Sequence, residues 1–384
     1  MRDILFLAHR VPFPPDRGDK IRSFHVIRRL SARARVHLVA FADDRADEDP
    51  APEFRQLLAS CTVVPRTKSR ARALAEALAT GRPVSLTAFA DPRIASAVRE
   101  HGGMSSYVFS GQMAQYLPAP DVMDFVDVDS AKFAAYADAA HWPTRWLMRR
   151  EARLLAAFER EVAARARASV FVSDAEAAVF GGLRTVAIEN GIDTRHFDPA
   201  ASFSRMPAGD GPLIVFTGQM DYRPNIDAVV AFAEHAFPAV RQVYPRARFA
   251  IVGRSPAPPV RALARYHGVI VTGAVDDVRP WLAAADVCVA PLLLARGIQN
   301  KVLEAMAMAR PVVASPAAAE GIDHAGFIRV AENCAPAILE LLGDAAAARA
   351  MGEGARARVI GRYAWDARLA PLDRLLGLEQ ARAA

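Results

Sequence analysis

The chain has 384 residues, of which 52% are hydrophobic and 23% are charged. This length accommodates two globular domains of about 150–200 residues each. The formal net charge of +6 suits an anionic small ligand, a nucleic acid or an acidic lipid surface. No nucleic-acid recognition motif accompanies that charge, so nucleic acid is not expected as a partner. No apolar run approaches the roughly 18–20 residues of a membrane span, so no spanning helix is predicted.

The N-terminal segment and the cysteines indicate a cytoplasmic protein. Residues 1–8 are too short for the apolar core of a signal peptide and predict a buried strand instead. Cys61, Cys288 and Cys334 are scattered and lack the spacing of a metal site. We therefore expect reduced thiols and no metal bound by cysteines. No cofactor is expected either.

Short apolar runs alternate with longer amphipathic runs along the whole chain. The first half predicts strand 4–8, helix 20–31, strands 36–41 and 62–64, helices 71–79 and 92–101, strands 107–110 and 122–126, helix 144–168, and strands 169–172 and 184–188. The second half predicts strand 213–217, helix 225–243, strand 248–252, helix 260–267, strand 269–271, helix 278–284, strand 287–290, helix 299–308, strand 311–315 and helix 335–342, with further helix over 345–378. Continuous apolar strands separated by helices are typical of parallel sheets covered on both faces.

The alternation predicts an α/β protein made of two Rossmann-like domains. A polar stretch at residues 202–211 separates the halves and has the composition of a linker. We expect an N-terminal domain over 1–200, a linker over 201–211, a second domain over 212–363, and a C-terminal helix over 364–384 that packs back on the first domain. Two such domains with parallel sheets facing a central cleft bind ligands at the carboxyl ends of the strands.

The most informative segment, residues 295–315, reads ARGIQNKVLEAMAMARPVVAS. Gly297 permits a tight turn, and a helix beginning near Gln299 presents free N–H groups to an anion. Lys301 adds a positive charge suited to phosphate, and Glu304 on the same helix face suits ribose hydroxyls. The alternative is a solvated Lys–Glu pair on an ordinary helix. Because the helix is otherwise apolar and an unpartnered buried glutamate is costly, the binding interpretation is favoured.

The sequence KVLEAMAMARPVVAS at 301–315 resembles the nucleotide-sugar motif of family 4 glycosyltransferases, which have the GT-B fold. The resemblance covers nearly the whole chain, through shorter matches in the same order: NGID at 190–193 with Phe197, FTG at 216–218, IVG at 251–253, VTGAV at 271–275, DV at 286–287 with Pro291, and EGI at 320–322. Three longer segments are similar to sugar transferases associated with PEP-CTERM/exosortase exopolysaccharide systems: DFVDVDSAK at 124–132, GQMDYRPN at 218–225 and RGIQNKVLEAMAM at 296–308.

The resemblance implies a donor site in the second half. Glu304 would hold the donor ribose, and Lys301 would hold the diphosphate and stabilise it as the leaving group. The other residues that the resemblance places at the donor are Gly18, Gly218, Arg223, Gly253, Thr272, Val275, Arg296, Gly297, Ile298, Gln299 and Asn300.

The chain departs from the family pattern at three places. The family carries another glutamate upstream of Glu304 that contacts the transferred sugar, and this chain has Arg296 there. We interpret Arg296 as a ligand of a phosphate or an acidic sugar. Many members also carry a histidine in the loop after the strand at 107–110, where this chain has Ser110-Gly111-Gln112. The Arg/Lys pair that the family usually carries after the Gly218 strand is incomplete in this chain. Arg223 is the candidate for its role, and the alternative is that Arg223 is an ordinary surface residue.

The loop at residues 12–22, PFPPDRGDKIR, resembles the family's first-domain loop that faces the donor diphosphate and the acceptor. This resemblance places Asp16, Arg17 and Lys20 on the acceptor side, together with Lys132. The alternative is a solvated connector stiffened by proline.

Two further carboxylates are predicted to act with Lys301 in catalysis. Asp127 and Asp129 lie on the same side of an extended segment, and a carboxylate there suits orienting or deprotonating an acceptor hydroxyl. For Asp129, and for its neighbour Ser130, the alternative is a helix cap.

Residues 144–167 form a basic amphipathic pattern with Trp142 and Trp146 nearby. The favoured interpretation is a helix packed on the core with a solvated basic face. The alternative is peripheral contact with an anionic membrane that carries a lipid-linked acceptor.

The resemblance implies an enzyme that moves a hexose-type unit from a UDP- or GDP-linked donor to a hydroxyl of a glycan or lipid-linked acceptor. It implies retention of anomeric configuration, no required metal, and a role in exopolysaccharide or cell-surface glycan synthesis at the inner face of the cytoplasmic membrane. Domain closure would exclude water from the site. Two alternatives stay open: a nucleotide-sugar-binding scaffold without catalysis, and a sugar-nucleotide epimerase of the same fold.

Overall fold

A computed structural model describes residues 2–15, 17–117, 119–182, 184–204, 206, 209–295 and 298–379. The chain divides into two compact units. The first contains Met1–Asn190 together with Arg368–Ala384, and the second contains Gly191–Ala367.

The first unit is built on a parallel sheet. Its strands are β1 (Arg2–Ala8), β2 (Ala34–Ala42), β3 (Ser60–Pro65), β4 (Ser105–Phe109), β5 (Val122–Val126), β6 (Ala168–Phe171) and β7 (Thr185–Ala187). They pair in the order β3-β2-β1-β4-β5-β6-β7, and every pair is parallel. The helices between them are α1 (Gly18–Ser31), α2 (Pro52–Arg55), α3 (Arg70–Thr80), α4 (Val84–Thr87), α5 (Pro92–Glu100), α6 (Asp129–Ala139), α7 (Thr144–Arg165) and α8 (Asp174–Phe180), with a 3-10 turn at Gly111–Tyr116.

The second unit repeats this architecture. Its strands are β8 (Leu213–Thr217), β9 (Arg248–Val252), β10 (Val269–Gly273), β11 (Val287–Ala290), β12 (Val312–Ala314) and β13 (Arg329–Val330). They pair in the order β10-β9-β8-β11-β12-β13, again all parallel. Its helices are α9 (Arg223–Ala231), α10 (Phe237–Val243), α11 (Pro258–Ala262), α12 (Arg279–Ala284), α13 (Asn300–Ala307), α14 (Pro316–Ala319), α15 (Cys334–Gly343), α16 (Ala345–Arg362) and α17 (Trp365–Arg368).

Both sheets are buried in apolar surroundings, which explains their continuous hydrophobic strands. All five residues of β8 are buried, and so are the last five of β1. A parallel strand covered by helices on both faces cannot alternate apolar and polar residues without burying polar groups. The predicted α/β class with two Rossmann-like parallel sheets is therefore confirmed.

The chain returns to the first unit after α17. Helix α18 (Pro371–Leu375) belongs to that unit, and its Asp373 accepts hydrogen bonds from Arg29 of α1 at 3.1 and 2.6 Å. Arg2 of β1 donates to the carbonyl of Leu376 at 3.0 Å. Residues from the two ends of the chain thus stabilise one core.

Two helices differ from the sequence expectations. Residues 129–132, expected in a loop, form the first turn of α6, whose alanine-rich sequence lacks a distinct apolar stripe. The single helix expected at 225–243 is α9 and α10 joined by a π-helical turn at Phe232–Ala236. Pro238 lies at the start of α10 and has no N–H to donate, which explains the local opening.

None of the helices in the described part of the chain combines the length and apolarity that crossing a bilayer demands.

Candidate active site

The strand order of the second unit creates a switch point beside β8. From β8 the chain builds outward through β9 and β10 on one side, whereas β11, β12 and β13 lie on the other. In open parallel sheets, ligands bind where the strand order reverses, beyond the carboxyl ends of the strands. A cavity of about 610 Å³ lies at this place, and its lining residues are Thr217, Gly218, Gln219, Tyr222, Asn225, Val252, Gly253, Arg254, Ala274, Val275, Val278, Ile298, Gln299, Asn300, Lys301 and Glu304.

Lys301 lies in the first turn of α13 and points its ammonium toward β8. The Nζ atom is 4.3 Å from the centre of the Phe216 ring and donates a hydrogen bond of 2.5 Å to Asn225 Oδ1. Burial lowers the pKa of Lys301 to about 8, although the nearby charge of Glu304 opposes that change. The cation is thus held by a ring face and a neutral amide, which leaves it able to attract an anion.

Glu304 lies one turn further along α13 and also lines the cavity. None of the residues that the structure describes donates a hydrogen bond to its carboxylate. Burial raises the pKa of Glu304 to about 7, and the positive charge of Lys301 only partly offsets that rise. A partly buried carboxylate in this state gains free energy when a ligand supplies hydroxyl donors.

Two glycines allow the backbone to close around the ammonium. A Cβ atom on Gly218 would lie 2.9 Å from Asn225 Nδ2 and 3.2 Å from Lys301 Nζ. A Cβ atom on Gly253 would lie 1.7 Å from the carbonyl oxygen of Gly218. Side chains at either position would displace the groups that line the cavity.

Gly253→Ala is expected to destabilise the protein by about 3 kcal/mol, because the new Cβ atom forces β9 away from the Gly218 carbonyl. Urea denaturation measures this change. Gly361→Ala is the matched control, since nothing lies within 4 Å of a Cβ atom at that helical position. A Gly253→Ala variant as stable as the control variant would show that the close approach of these two loops is not required.

The cavity brings together eight of the predicted donor ligands: Gly218, Gly253, Val275, Ile298, Gln299, Asn300, Lys301 and Glu304. Arg296, Gly297 and Asp16 lie outside the described residues. Arg223 is not among the lining residues; its side chain is 83% exposed and its Nε donates to Asp227 at 2.8 Å. Thr272 is also outside the lining, and its hydroxyl donates to the carbonyl of Gly273 at 2.8 Å.

The predicted residues of the first unit occupy two places. Gly18 begins α1, and Arg17 next to it is exposed and donates to Asp19 at 2.9 Å. Lys20 is buried, with its Nζ 2.9 Å from Asp47 Oδ1, so this ammonium is engaged within the fold.

Asp127, Asp129 and Lys132 come together beyond the carboxyl end of β5. Lys132 Nζ lies 2.5 Å from Asp127 and 3.7 Å from Asp129. Burial raises the pKa of Asp129, and the Lys132 charge only partly opposes it. Neither Asp129 nor Ser130 is the N-cap of α6, which is Val128; the Glu159 carboxylate instead accepts the backbone N–H of Ser130 at 3.1 Å and its hydroxyl at 2.5 Å.

A buried ion pair stabilises the end of β5, which leads into this group of carboxylates. Arg22 of α1 is 1% exposed and its Nε donates to Asp124 of β5 at 2.9 Å. Tyr107 also donates to Asp124, at 2.5 Å, and the other carboxylate oxygen accepts the N–H of Val126 at 3.1 Å. Val126 has a left-handed backbone with φ of 70°, which a β-branched residue adopts only when its surroundings impose it. The pair therefore fixes the backbone that leads into Asp127.

Several lining residues are not predicted from the sequence: Thr217, Gln219, Tyr222, Asn225, Val252, Arg254 and Val278. Asn225 could have been predicted as a site residue, because it ends the GQMDYRPN segment and is buried at the start of α9. A buried asparagine requires polar partners, but the sequence does not reveal that its partner is Lys301.

Residues 211–344 match a family model described as "Glycosyl transferases group 1". This segment contains the whole of the cavity lining. The match therefore links the cavity to a domain found in sugar-transferring enzymes.

Two curated relatives share part of the chain. One is a phosphatidyl-myo-inositol mannosyltransferase of Propionibacterium freudenreichii, 32% identical over 139 residues, which are 35% of this chain and 34% of that protein. Another is a GDP-mannose-dependent alpha-(1-6)-phosphatidylinositol monomannoside mannosyltransferase of Mycobacterium tuberculosis, 33% identical over 218 residues, which are 50% of this chain and 56% of that protein. The chain thus spans 34% to 56% of the length of these relatives.

Solved structures establish the fold over nearly the full chain. Anabaena Alr3699/HepE in complex with UDP superposes with a TM-score of 0.61, covering 98% of this chain and 100% of that one. The sequences are 16% identical, so this likeness concerns architecture alone. Residues 211–344 therefore resemble a glycosyl transferases group 1 domain, within a chain whose two Rossmann-like units have the GT-B fold.

Proposed function

We propose that the protein is a glycosyltransferase that moves a sugar from a nucleoside-diphosphate donor to a hydroxyl acceptor. The observation that carries the proposal is the pairing of Lys301 and Glu304 in one cavity, where each charge is incompletely satisfied. A nucleoside diphosphate complements both, because its phosphates suit the ammonium and its ribose hydroxyls suit the carboxylate.

Each group has a distinct role in the proposed reaction. The Lys301 ammonium and the N–H groups at the start of α13 stabilise the negative charge that develops on the departing diphosphate. Glu304 orients the donor through its ribose. Asp127 and Asp129 in the first unit orient the acceptor hydroxyl or take its proton.

The finer features of the reaction are also proposals. The donor is UDP- or GDP-linked: the Mycobacterium tuberculosis relative is named as GDP-mannose-dependent, and the Anabaena structure contains UDP. Transfer proceeds with retention of configuration and without a required metal. The acceptor is a glycan or a lipid-linked sugar at the inner face of the cytoplasmic membrane, and the product enters a PEP-CTERM/exosortase-associated exopolysaccharide pathway. Both curated relatives are named for phosphatidylinositol-type acceptors, which supports a lipid-linked one.

Lys301→Met is expected to weaken nucleoside diphosphate binding by about tenfold or more and to leave binding of the parent nucleoside unchanged. A charge-assisted hydrogen bond contributes roughly 1.5–3 kcal/mol, and the methionine retains the aliphatic volume of lysine. Calorimetric titration with UDP, GDP, uridine and guanosine measures both affinities.

The matched control is Lys68→Met, because Lys68 pairs with Glu76 in the first unit and does not line the cavity. Equal affinity of Lys301→Met and Lys68→Met for both diphosphates would refute the assignment of the diphosphate to Lys301. Release of diphosphate from a nucleotide sugar in the presence of an acceptor then tests transfer. Tight binding with neither transfer nor hydrolysis, over a panel of donors and acceptors, would indicate a binding scaffold instead of an enzyme.

A further inference from the structure

Helix α7 of the first unit segregates its charges. Glu151 is 2% exposed and accepts hydrogen bonds from the N–H groups of Val84 at 2.8 Å and Ser85 at 2.7 Å. Glu159 is 3% exposed and accepts two hydrogen bonds from Ser130, one from its backbone N–H and one from its hydroxyl. The remaining glutamate, Glu161, pairs with Arg165 at 2.8 Å. The carboxylates of this helix are thus engaged and cannot neutralise its outer surface.

The outer surface of α7 carries four exposed arginines: Arg145, Arg149, Arg153 and Arg160. At about 100° per residue they occupy a sector of roughly 80°, on the side opposite the buried Leu155 and Val162. None of the four forms a salt bridge with a residue in the described part of the chain. A row of like charges without counter-charges repels itself and is relieved by an anionic partner.

Two tryptophans lie at the N-terminal end of this row. Trp142 is 83% exposed and Trp146 is 55% exposed. At about 100° per residue, Trp146 borders the sector of the arginines. Indole rings in this position leave a large apolar area in water, which is unfavourable unless a partner covers it. We call the two tryptophans and four arginines the Trp–Arg face.

We propose that the Trp–Arg face docks on an anionic lipid bilayer, with the indoles at headgroup level and the guanidinium groups against lipid phosphates. The arginines extend from Arg145 to Arg160 of this helix, so they form a straight cationic surface of about 23 Å. A nucleic acid or an acidic protein would satisfy the arginines, but a bilayer interface also supplies the amphipathic environment that indole prefers. The purpose of docking, access to a lipid-linked acceptor, rests on the proposed function.

Sedimentation with vesicles tests the docking on the full chain. Binding to vesicles of phosphatidylcholine with phosphatidylglycerol is expected to exceed binding to phosphatidylcholine alone by more than tenfold and to fall with added salt. Replacing all four arginines by glutamine is expected to abolish that difference. Trp142→Ala combined with Trp146→Ala is expected to weaken binding several-fold.

Tryptophan fluorescence provides a second readout. The chain has four tryptophans, and Trp365 is buried. A blue shift of emission on adding anionic vesicles is therefore expected in the natural protein and absent from the double tryptophan variant. The fluorescence change reports entry of the indoles into the headgroup layer and not charge attraction alone.

A control with the same change in net charge replaces the exposed Arg70, Arg72, Arg99 and Arg362 by glutamine. Loss of binding in this control equal to that in the face variant would overturn the proposal, as would equal binding to neutral vesicles. Preferential binding of RNA or DNA over anionic vesicles by the same face would overturn it too. Nucleoside diphosphate titration of each variant separates this failure from failure of the proposed function, because the cavity lies in the other unit.

Discussion

Glu304→Gln is expected to raise the free energy of unfolding of the ligand-free protein at pH 8 by about 1–3 kcal/mol, while weakening nucleoside diphosphate binding by about tenfold or more. The glutamine removes a partly buried negative charge that no described residue satisfies with a hydrogen bond, so the empty fold gains stability. It also removes the charged acceptor for the ribose hydroxyls, so the ligand loses a charge-assisted hydrogen bond. Urea denaturation and calorimetric titration measure the two effects.

The stability gain of Glu304→Gln over the natural protein is expected to grow as the pH rises. The pKa of Glu304 rises from 4.5 to about 7 in the folded protein because burial disfavours the carboxylate. The folded state therefore holds the proton more tightly, and the natural protein loses stability as the pH increases from about 4.5 to about 7. Glutamine does not titrate, so the difference between the two proteins is expected to be small at pH 4.5 and to reach its full size above pH 7.

Glu353→Gln is the control for this measurement, because Glu353 is an exposed residue of α16 in the same unit. Its stability difference from the natural protein is expected to stay nearly flat over the same pH range. If Glu304→Gln binds nucleoside diphosphates as tightly as the natural protein, the ribose assignment fails. If it instead destabilises the empty protein at pH 8, the carboxylate must have a stabilising partner.

Asp124→Ala is expected to lower the free energy of unfolding by about 3–5 kcal/mol, because it leaves the buried Arg22 guanidinium without its counter-charge. The Arg22 and Asp124 side chains are 1% and 0% exposed, so water cannot replace the lost partner. Tyr107→Phe removes one donor to Asp124 and keeps the ion pair, so a smaller loss of about 1 kcal/mol is expected. Urea denaturation of the natural protein, Asp124→Ala and Tyr107→Phe measures the two losses in free energy of unfolding.

The matched control for this pair is Asp227→Ala. It also breaks an Arg–Asp pair, but the Arg223 and Asp227 side chains are 83% and 39% exposed. Exposed pairs contribute little, so a change within about 0.5 kcal/mol is expected. A loss at Asp124 no larger than at Asp227 would show that Arg22 finds another anion in the variant.

The fold was predictable because its determinants are local in sequence. Runs such as those in β1 and β8 are apolar at every position, and only a strand covered on both faces tolerates that pattern. Elements whose burial is not periodic are not predictable in this way. Helix α6 was missed because alanine and aspartate give no apolar stripe, and β13 was missed because it has only two residues.

The candidate site was predictable along α13 and less so elsewhere. Lys301 and Glu304 stand in one recognisable motif, Gly218 and Gly253 each end a shorter match, and all four line the cavity. Asn225 reaches Lys301 from 76 positions away, and Asp124 meets Arg22 across 102 positions. Such pairs are determined by packing of distant elements, and one sequence carries no record of which polar residues meet.

The packing of α18 on α1 affects the order in which the protein is completed during synthesis. The first unit needs Asp373, which pairs with Arg29 and Arg33, before its core is finished. Residues 191–367 emerge from the ribosome earlier than α18 and form a continuous stretch, so the second unit can become compact first. The unit that is translated first can therefore complete its last packing contacts only after the other unit has been made.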